Sequence, residues 1–300
     1  MNLLFAGDLH ITEERPRNRT DENYFLTQAE KIKQILSIGN KHKAPLFLPG
    51  DIFNHYKKPS NYLLQFYIQL FSNYPYKIYG VRGQHDLKLH STDVEDTALA
   101  VLEAAKVIQI VNPLEDYVCI YRASFGEEIP PVKDKAAFNI LITHRMIVHN
   151  DKIWEQQENF DYAENLLRKH PEYDIIVSGD NHHYFHAEVQ GRHLFNCGSL
   201  MRATTAQLEH VPKIVIFDLA TKKFQEIPLS VKPIAEVFNL EKVEKEKKER
   251  KNFDAFIKGL SETTTVAHSL KAKLEAALKA NKVDKEIRNI FDEVMEGIEE

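Results

Sequence analysis

Five short segments of this chain carry acidic and imidazole side chains at spacings that suit a bound divalent cation. They are Gly7–His10 (GDLH), Gly50–Phe53 (GDIF), Gly83–Asp86 (GQHD), Thr143–Arg145 (THR) and Gly179–His183 (GDNHH). Side chains of an extended segment alternate with period two, so Asp8 and His10 reach the same side and can grip one ion. Mixed carboxylate and imidazole ligands suit Mn²⁺, Fe²⁺ or Zn²⁺. With Cys119 and Cys197 the only cysteines, a structural zinc centre is disfavoured. Glycine ahead of Asp51, His85 and Asp180 permits tight turns and leaves space for a metal or a phosphate at the backbone. Singly each motif is weak, because a Gly-Asp after a strand is usually a turn and a lone histidine is usually structural. The signal is their conjunction, each behind an apolar run.

Those runs alternate with helical patterns. Strand character is expected over Asn2–Ala6, Pro45–Leu48, Tyr76–Val81, Val107–Val111, Tyr117–Tyr121, Asn139–Thr143, Asp174–Ser178, His193–Asn196, Lys213–Asp218 and Phe224–Leu229. Helices are expected near Tyr24–His42, Asn61–Ser72 and Tyr162–Lys169. In the first, Phe25, Ala29, Ile32 and Leu36 face a core while Lys31, Lys33 and Lys41 stay outside. This rhythm predicts an α/β fold, in which sites form at the carboxyl ends of strands. Segments far apart in the chain can therefore converge.

The order of the motifs resembles that of the calcineurin-like metallophosphoesterases, and in detail the SbcD / meiotic-recombination-eleven nuclease branch. The resemblance covers about residues 1–202. Gly50–Ser60 (GDIFNHYKKPS) and the NCGSLMR stretch around Gly198 and Ser199 are most like that branch. It implies a β-sandwich flanked by helices over 1–205, a small capping segment over 206–240, and a charged linker with a helical tail over 241–300. Carried over by motif, Asp8, His10 and His182 would hold a first metal, Asp51 would bridge, His144 would help hold the second, and His85 would be the catalytic histidine. Two positions depart from the family pattern. Gln84 stands where asparagine is usual, and Asp180 where a histidine is usual; both fall on the second metal, where Gln84 offers the same amide oxygen on a longer stem and Asp180 shifts the site toward harder ions such as Mn²⁺ or Mg²⁺. The expected cofactor is a pair of divalent ions, Mn²⁺ foremost.

The resemblance further implies a DNA exonuclease and endonuclease of break repair or end processing, with an SMC-like coiled-coil ATPase as partner of the tail and a homodimer as a common state. A small-molecule phosphodiesterase or protein phosphatase on the same metal core is a second reading. A non-catalytic metal-binding scaffold is a third. His55, Lys57 and Lys58, with Arg15, Arg17 and Arg19, are cations that could meet a DNA backbone or merely decorate exposed loops. Asp86 is either an acceptor for His85 or a cap for the next segment. His183 and His186 are read as structural or solvent-facing.

Composition sets looser bounds. The 300 residues are 43% hydrophobic and 28% charged, as in an ordinary globular protein, and the net charge of −5 argues against non-specific coating of nucleic acid. No apolar run reaches membrane-spanning length and the start reads as no signal peptide, so a cytoplasmic protein with buried, reduced thiols is expected. Beyond the Glu/Lys-rich run at Glu241–Lys251, an amphipathic stripe including Phe253, Phe256, Ile287, Ile290 and Phe291 suggests helices that pack on their own domain or dock on a partner.

Overall fold

The computed structural model describes residues 1–88, 95–110, 114–115, 118–134, 137–150, 158–245, 247–248 and 251. In chain order the elements are β1 (Asn2–Phe5), α1 (Tyr24–His42), β2 (Leu46–Leu48), α2 (Asn61–Ser72), β3 (Ile78–Gly80), α3 (Ala98–Ala104), β4 (Leu114–Glu115), β5 (Val118–Ala123), β6 (Phe138–His144), β7 (Ile147–Val148), β8 (Asp161–Tyr162), α4 (Ala163–Lys169), β9 (Ile175–Gly179), β10 (Phe185–Val189), β11 (Arg192–Asn196), β12 (Lys213–Asp218) and β13 (Lys223–Pro228).

The strands form two main sheets, ordered β13-β12-β1-β2-β3 and β10-β11-β9-β6-β5-β4. Alternation along β1 explains their stacking. Leu3 and Phe5 point one way and join Phe47, Tyr79, Val215 and Phe217 against Ile140, Ile142, Val177 and Phe195 of the second sheet. Leu4 points the other way, into a core with Phe25, Ile32, Leu63 and Tyr67 from α1 and α2. The outer face of the second sheet presents Leu141, Ile176 and Leu194 to Leu166 and Leu167 of α4. Both faces of the strands are thus apolar, as parallel strands buried on both sides require. The result is the expected β-sandwich flanked by helices.

Helix α1 starts where Asn23 Oδ1 accepts from the Leu26 amide at 3.0 Å, and ends at Lys43, whose φ of 52° is left-handed. Helix α2 starts with Ser60 Oγ accepting from Leu63 N at 3.1 Å. Both helices have the boundaries expected from periodicity. One expectation along α1 fails: Lys33 and Lys41 are exposed, but Lys31 is buried. Its ammonium donates to the Ser230 carbonyl at 3.0 Å, so the 230 segment covers this face. Cys119 and Cys197 are both buried and free, as expected.

The expected cap over 206–240 is corrected. β12 pairs antiparallel with β1 along its length, Asn2 opposite Asp218 to Phe5 opposite Val215, and β13 pairs with β12. Val215 and Phe217 belong to the sandwich core, so these strands complete the first sheet. Compact units run Met1–Val237 and Phe238–Glu300. The expected strand at Val107–Val111 is reduced to a bridge between Gln109 and Tyr79, Val111 lying outside the described residues. Residues 240–245 of the charged run are helical, and the stripe beyond 251 lies outside the described residues. Among the described residues, no helix is long and apolar enough to cross a membrane.

What positions the site is strand direction. β1, β2 and β3 run parallel in one sheet, and β6 and β9 run parallel in the other. The turn after β1 is tied to the segment following β11 by Asp8 N donating to Gly198 O at 3.1 Å, and a Cβ on Gly7 would stand 1.6 Å from that oxygen. Gly7→Ala must break this approach. It should cost at least about 2 kcal/mol, a melting temperature lower by roughly 4–8 °C in calorimetry; an unchanged melting temperature would contradict the role given to Gly7.

Candidate metal centre

All five motifs meet at these strand ends. Asp8, His10 and His182 form one group whose ligand atoms lie within 4.8 Å of one another, and His10, Asp51 and His85 form a second. His10 Nε2 stands 3.1 Å from His182 Nε2 and 3.6 Å from Asp51 Oδ2; His144 Nε2 stands 3.5 Å from that same Asp51 oxygen. The other Asp51 oxygen accepts from the His85 amide at 3.0 Å. Asp51 Oδ2 is therefore left facing two imidazole nitrogens, the disposition expected of a bridge. Asp8 Oδ2 lies 3.8 Å from His182 Nε2 and accepts from the Asp180 amide at 3.0 Å.

Backbone geometry serves this convergence. His10 and Asp51 both have φ of 46° and Asp180 has φ of 87°, a left-handed conformation that non-glycine residues rarely adopt. Gly50, at φ 104°, precedes Asp51 in the same sharp turn. The glycines make room for neighbouring ligand side chains, where space for a metal or phosphate at the backbone is the expectation from sequence. A Cβ on Gly83 would lie 2.0 Å from Asp51 Oδ1, and one on Gly179 would lie 2.4 Å from Asp8 Oδ1.

The donor set fits divalent cations on one observation. Asp8 Oδ1, Asp51 Oδ2, Gln84 Oε1 and His144 Nε2 are buried with no hydrogen-bond partner. His144 Nδ1 gives its proton to the Pro49 carbonyl at 2.6 Å, which leaves Nε2 as a lone pair. Ligand-type atoms left without partners cost about 1–3 kcal/mol each, and a cation relieves all four together. Gln84 and Asp180 belong to the same assembly, because the Gln84 amide donates to Asp180 Oδ1 at 2.9 Å and leaves its own oxygen inward.

Electrostatics point the same way. Burial, then the Asp51 charge, raises the Asp8 carboxyl well above its ordinary range, and burial with the Asp86 charge pushes Asp51 up to about 9. Asp180 is raised by burial, which outweighs its bond from Gln84. Burial lowers His10 well below its usual value and brings His144 and His182 down to about 4. Carboxyl values raised and imidazole values lowered at one place both favour the binding of a positive charge there.

Other expected residues fall as follows. Asp86 takes neither role foreseen for it alone. Its buried carboxylate accepts from the amides of Ile52 (3.2 Å), Phe53 (2.9 Å) and Gly83 (3.0 Å), clamping the Asp51 turn to the His85 turn. His85 is exposed, and its Nδ1 lies 3.0 Å from the Asn54 carbonyl. Arg15 lines the groove of about 380 Å³ above His10, His85 and His182, and Arg17 is exposed. Lys57 and Lys58 are exposed but paired, with Asp96 at 2.6 Å and Glu14 at 3.1 Å, and His55 stacks on Tyr56. Arg19 is withdrawn from any DNA role: it is buried and grips Asp21 with two nitrogens at 2.7 and 2.8 Å. His183 is exposed and His186 stacks on Phe195, as foreseen. Sequence reasoning missed Gln207, whose amide nitrogen stands 3.4 Å from His182 Nδ1, and Asn54; neither lies at a ligand spacing.

A sandwich whose parallel strands end in one cluster of carboxylates and imidazoles is an arrangement suited to metal-dependent phosphoester hydrolysis. The chain belongs to the calcineurin-like phosphoesterase family, whose model matches residues 1–198. Among solved structures it is similar to an archaeal phosphodiesterase (16% identity, 76% of this chain and 100% of that one, TM-score 0.42). It is also similar to the protein TT1561 of Thermus thermophilus (12%, 76% and 98%, 0.48) and to Vps29 of Entamoeba histolytica complexed with zinc (12%, 76% and 99%, 0.36). Comparison with curated proteins gives no match.

Because Asp51 is pushed up to about 9, its carboxyl is protonated at neutral pH in the metal-free fold and must lose that proton to bind a cation. The raised value costs the metal-free fold stability as pH climbs from the ordinary carboxylate range through about 9. Affinity for Mn²⁺ should therefore rise between about pH 6 and 8, by up to about tenfold per unit for each proton released. Calorimetry in buffers of different ionisation enthalpy reads both affinity and proton release; a pH-independent affinity would contradict this electrostatic account.

Proposed function

We propose that this chain is a metal-dependent DNA nuclease, an exonuclease on duplex ends and an endonuclease on single strands, acting in break repair or end processing. The observation that carries the reading is His85, exposed over Asp51 at an open groove that Arg15 and Asn54 also line. The likeness of Gly50–Ser60 and of the Gly198–Ser199 turn to the nuclease branch supports DNA as the substrate class.

Asp8, His10 and His182 would hold one ion, Asp51 both, and His144 with Gln84 and Asp180 the second; Mn²⁺ suits this oxygen-rich set, Mg²⁺ less so. Bound there, two divalent ions supply Lewis-acid stabilisation of phosphoryl charge and an activated water. The chain's own part lies with His85. The Asn54 carbonyl accepts from Nδ1–H, which fixes the ring and leaves Nε2 as the nitrogen that exchanges a proton with the leaving oxygen. Such positioned proton transfer contributes roughly 10²–10⁴-fold. Arg15 would meet a phosphate flanking the scissile one.

A second reading, hydrolysis of a small phosphodiester, is favoured by the pairing of Lys57 and Lys58 with acids beside the groove. End-labelled duplex DNA compared with bis-p-nitrophenyl phosphate, both with Mn²⁺, separates the two. DNA cleavage is expected; turnover of the small ester alone would select the second reading. His85→Ala should keep metal affinity and lose about 10²–10⁴-fold in kcat. Loss of metal as well would make His85 a ligand.

The tail completes the proposal. Residues 241–300 would engage the coiled coil of an SMC-like ATPase, and the chain would form a homodimer. Deleting 241–300 should abolish co-purification with that partner and spare metal-dependent cleavage of simple DNA. Cleavage lost together with binding would place the tail in the catalytic unit instead.

A further inference from the structure

Lys31, the cation that departs from the exposed face of α1, opens onto a cavity of about 390 Å³ separate from the metal groove. Arg19, Arg202 and Lys232 line it too. Three of these four cations are buried, with relative exposures of 5% for Arg19, 8% for Lys31 and 7% for Arg202. Long cationic side chains are almost never this buried without a partner charge. Arg19 has one in Asp21. Among the described residues, neither Lys31 nor Arg202 makes an ion pair. Lys31 donates to the Ser230 carbonyl at 3.0 Å, and Arg202 donates to the carbonyls of Leu208 at 3.3 Å and of Lys232. The one carboxylate in the lining, Glu30, is engaged by Lys33 at 2.8 Å on the exposed side of the helix.

An ammonium has three N–H donors and a guanidinium five, so carbonyl anchoring leaves both groups with donors to spare, and the Glu209 and Asp21 carboxylates offset only part of the Arg202 charge. Remaining lining is partly apolar, from Leu26, Val231 and Val237. A volume of this size suits a small ligand with one anionic head. We propose that this cavity binds a phosphoryl dianion carried on a small apolar body, its oxygens taken by Lys31 and Arg202 and its body lying against Leu26 and Val231. A phosphoryl group matches the set better than a carboxylate, since it offers three oxygens and up to two charges to a fork and a point charge together. Burial first, and the Arg202 and Arg19 charges after it, brings the Lys31 ammonium down to about 8. A dianion would offset both the burial of this charge and the repulsion from its neighbours.

The cavity also touches the machinery of the metal centre. Arg202 closes the segment in which Leu200 N donates to Asp8 O at 2.8 Å, and the Arg19 guanidinium lies over the ring of Tyr24, which lines the metal groove. The two cavities share a wall. An anion bound to Arg202 would steady the 199–202 segment against Asp8.

Phenylphosphonate, whose carbon–phosphorus bond resists hydrolysis, is the probe. Calorimetric titration of the full chain in excess EDTA keeps the metal centre from contributing, so the result is independent of the nuclease proposal. One equivalent should bind, and Lys31→Met should weaken it at least about tenfold, the loss of one charge-assisted contact. Without the probe, Lys31→Met should melt at or above the wild-type temperature, because it removes a buried charge that one carbonyl bond compensates only in part. A 5′-phosphorylated dinucleotide that competes with phenylphosphonate would assign the head group to a nucleic-acid end; one that does not would assign it to a free organic phosphate. The proposal is overturned by wild-type affinity in Lys31→Met, or by no binding at millimolar probe. A melting temperature lowered by several degrees in Lys31→Met would also overturn it, since Lys31 would then be a structural strut for the 230 segment.

Discussion

The Asp51 carboxylate is the point on which the rest of this structure depends. It is wholly buried, one oxygen is held by the His85 amide, and the other faces the imidazoles of His10 and His144 with no donor in reach. A carboxylate in that position is destabilising unless a cation joins it. Its surroundings are arranged to hold it there regardless. Gly50 and Asp51 adopt left-handed backbone, Gly83 gives up a side chain to the Asp51 oxygen, and Asp86 ties the two turns through three amides. Strain, desolvation and like-charge repulsion gather at one spot, where a metal-binding site would use them.

The sandwich makes such a spot possible. Parallel strands in each sheet bring the ends of β1, β2, β3, β6 and β9 to one edge, so ligands from residue 8 to residue 182 meet without any long-range sequence signal between them. The three apolar layers below supply the rigidity that keeps imidazole nitrogens at 3.1 to 3.6 Å from their neighbours. Hydrogen bonds from outside the ligand set then orient the rings: Pro49 fixes His144, and Asn54 fixes His85.

Much of this is legible in the sequence because the periodicities are clean. The bounds of α1 and α2 follow from apolar spacing, and the ligands follow from polar residues directly after apolar runs; the capping bonds at Asn23 and Ser60 agree with those bounds. Long-range decisions are not legible. Nothing local in KIVIFD tells that β12 returns to pair with β1, and its position after the last motif invites the reading of a separate cap. Lys31 reads as solvent-facing from its helical position, but what covers it comes from residue 230, about 200 residues away. Asp86 escapes a local reading for the same reason, accepting from Ile52 and Phe53; Arg19 has its partner Asp21 two residues away, but its burial goes with a bond to the Arg202 carbonyl, 183 residues on. Glycine spacing is visible in the sequence, whereas its purpose, room for a neighbouring carboxylate, needs the coordinates.

The central claim is that the unpartnered atoms around Asp51 are a two-ion centre. Anomalous scattering from crystals of the full chain grown with Mn²⁺ tests it most directly. The account predicts two peaks flanking Asp51, about 3.5–4 Å apart, one with Asp8, His10 and His182 and the other with His144, Gln84 and Asp180. A single peak that Asp51 does not touch, or peaks whose ligands exclude both Gln84 and Asp180, would contradict it.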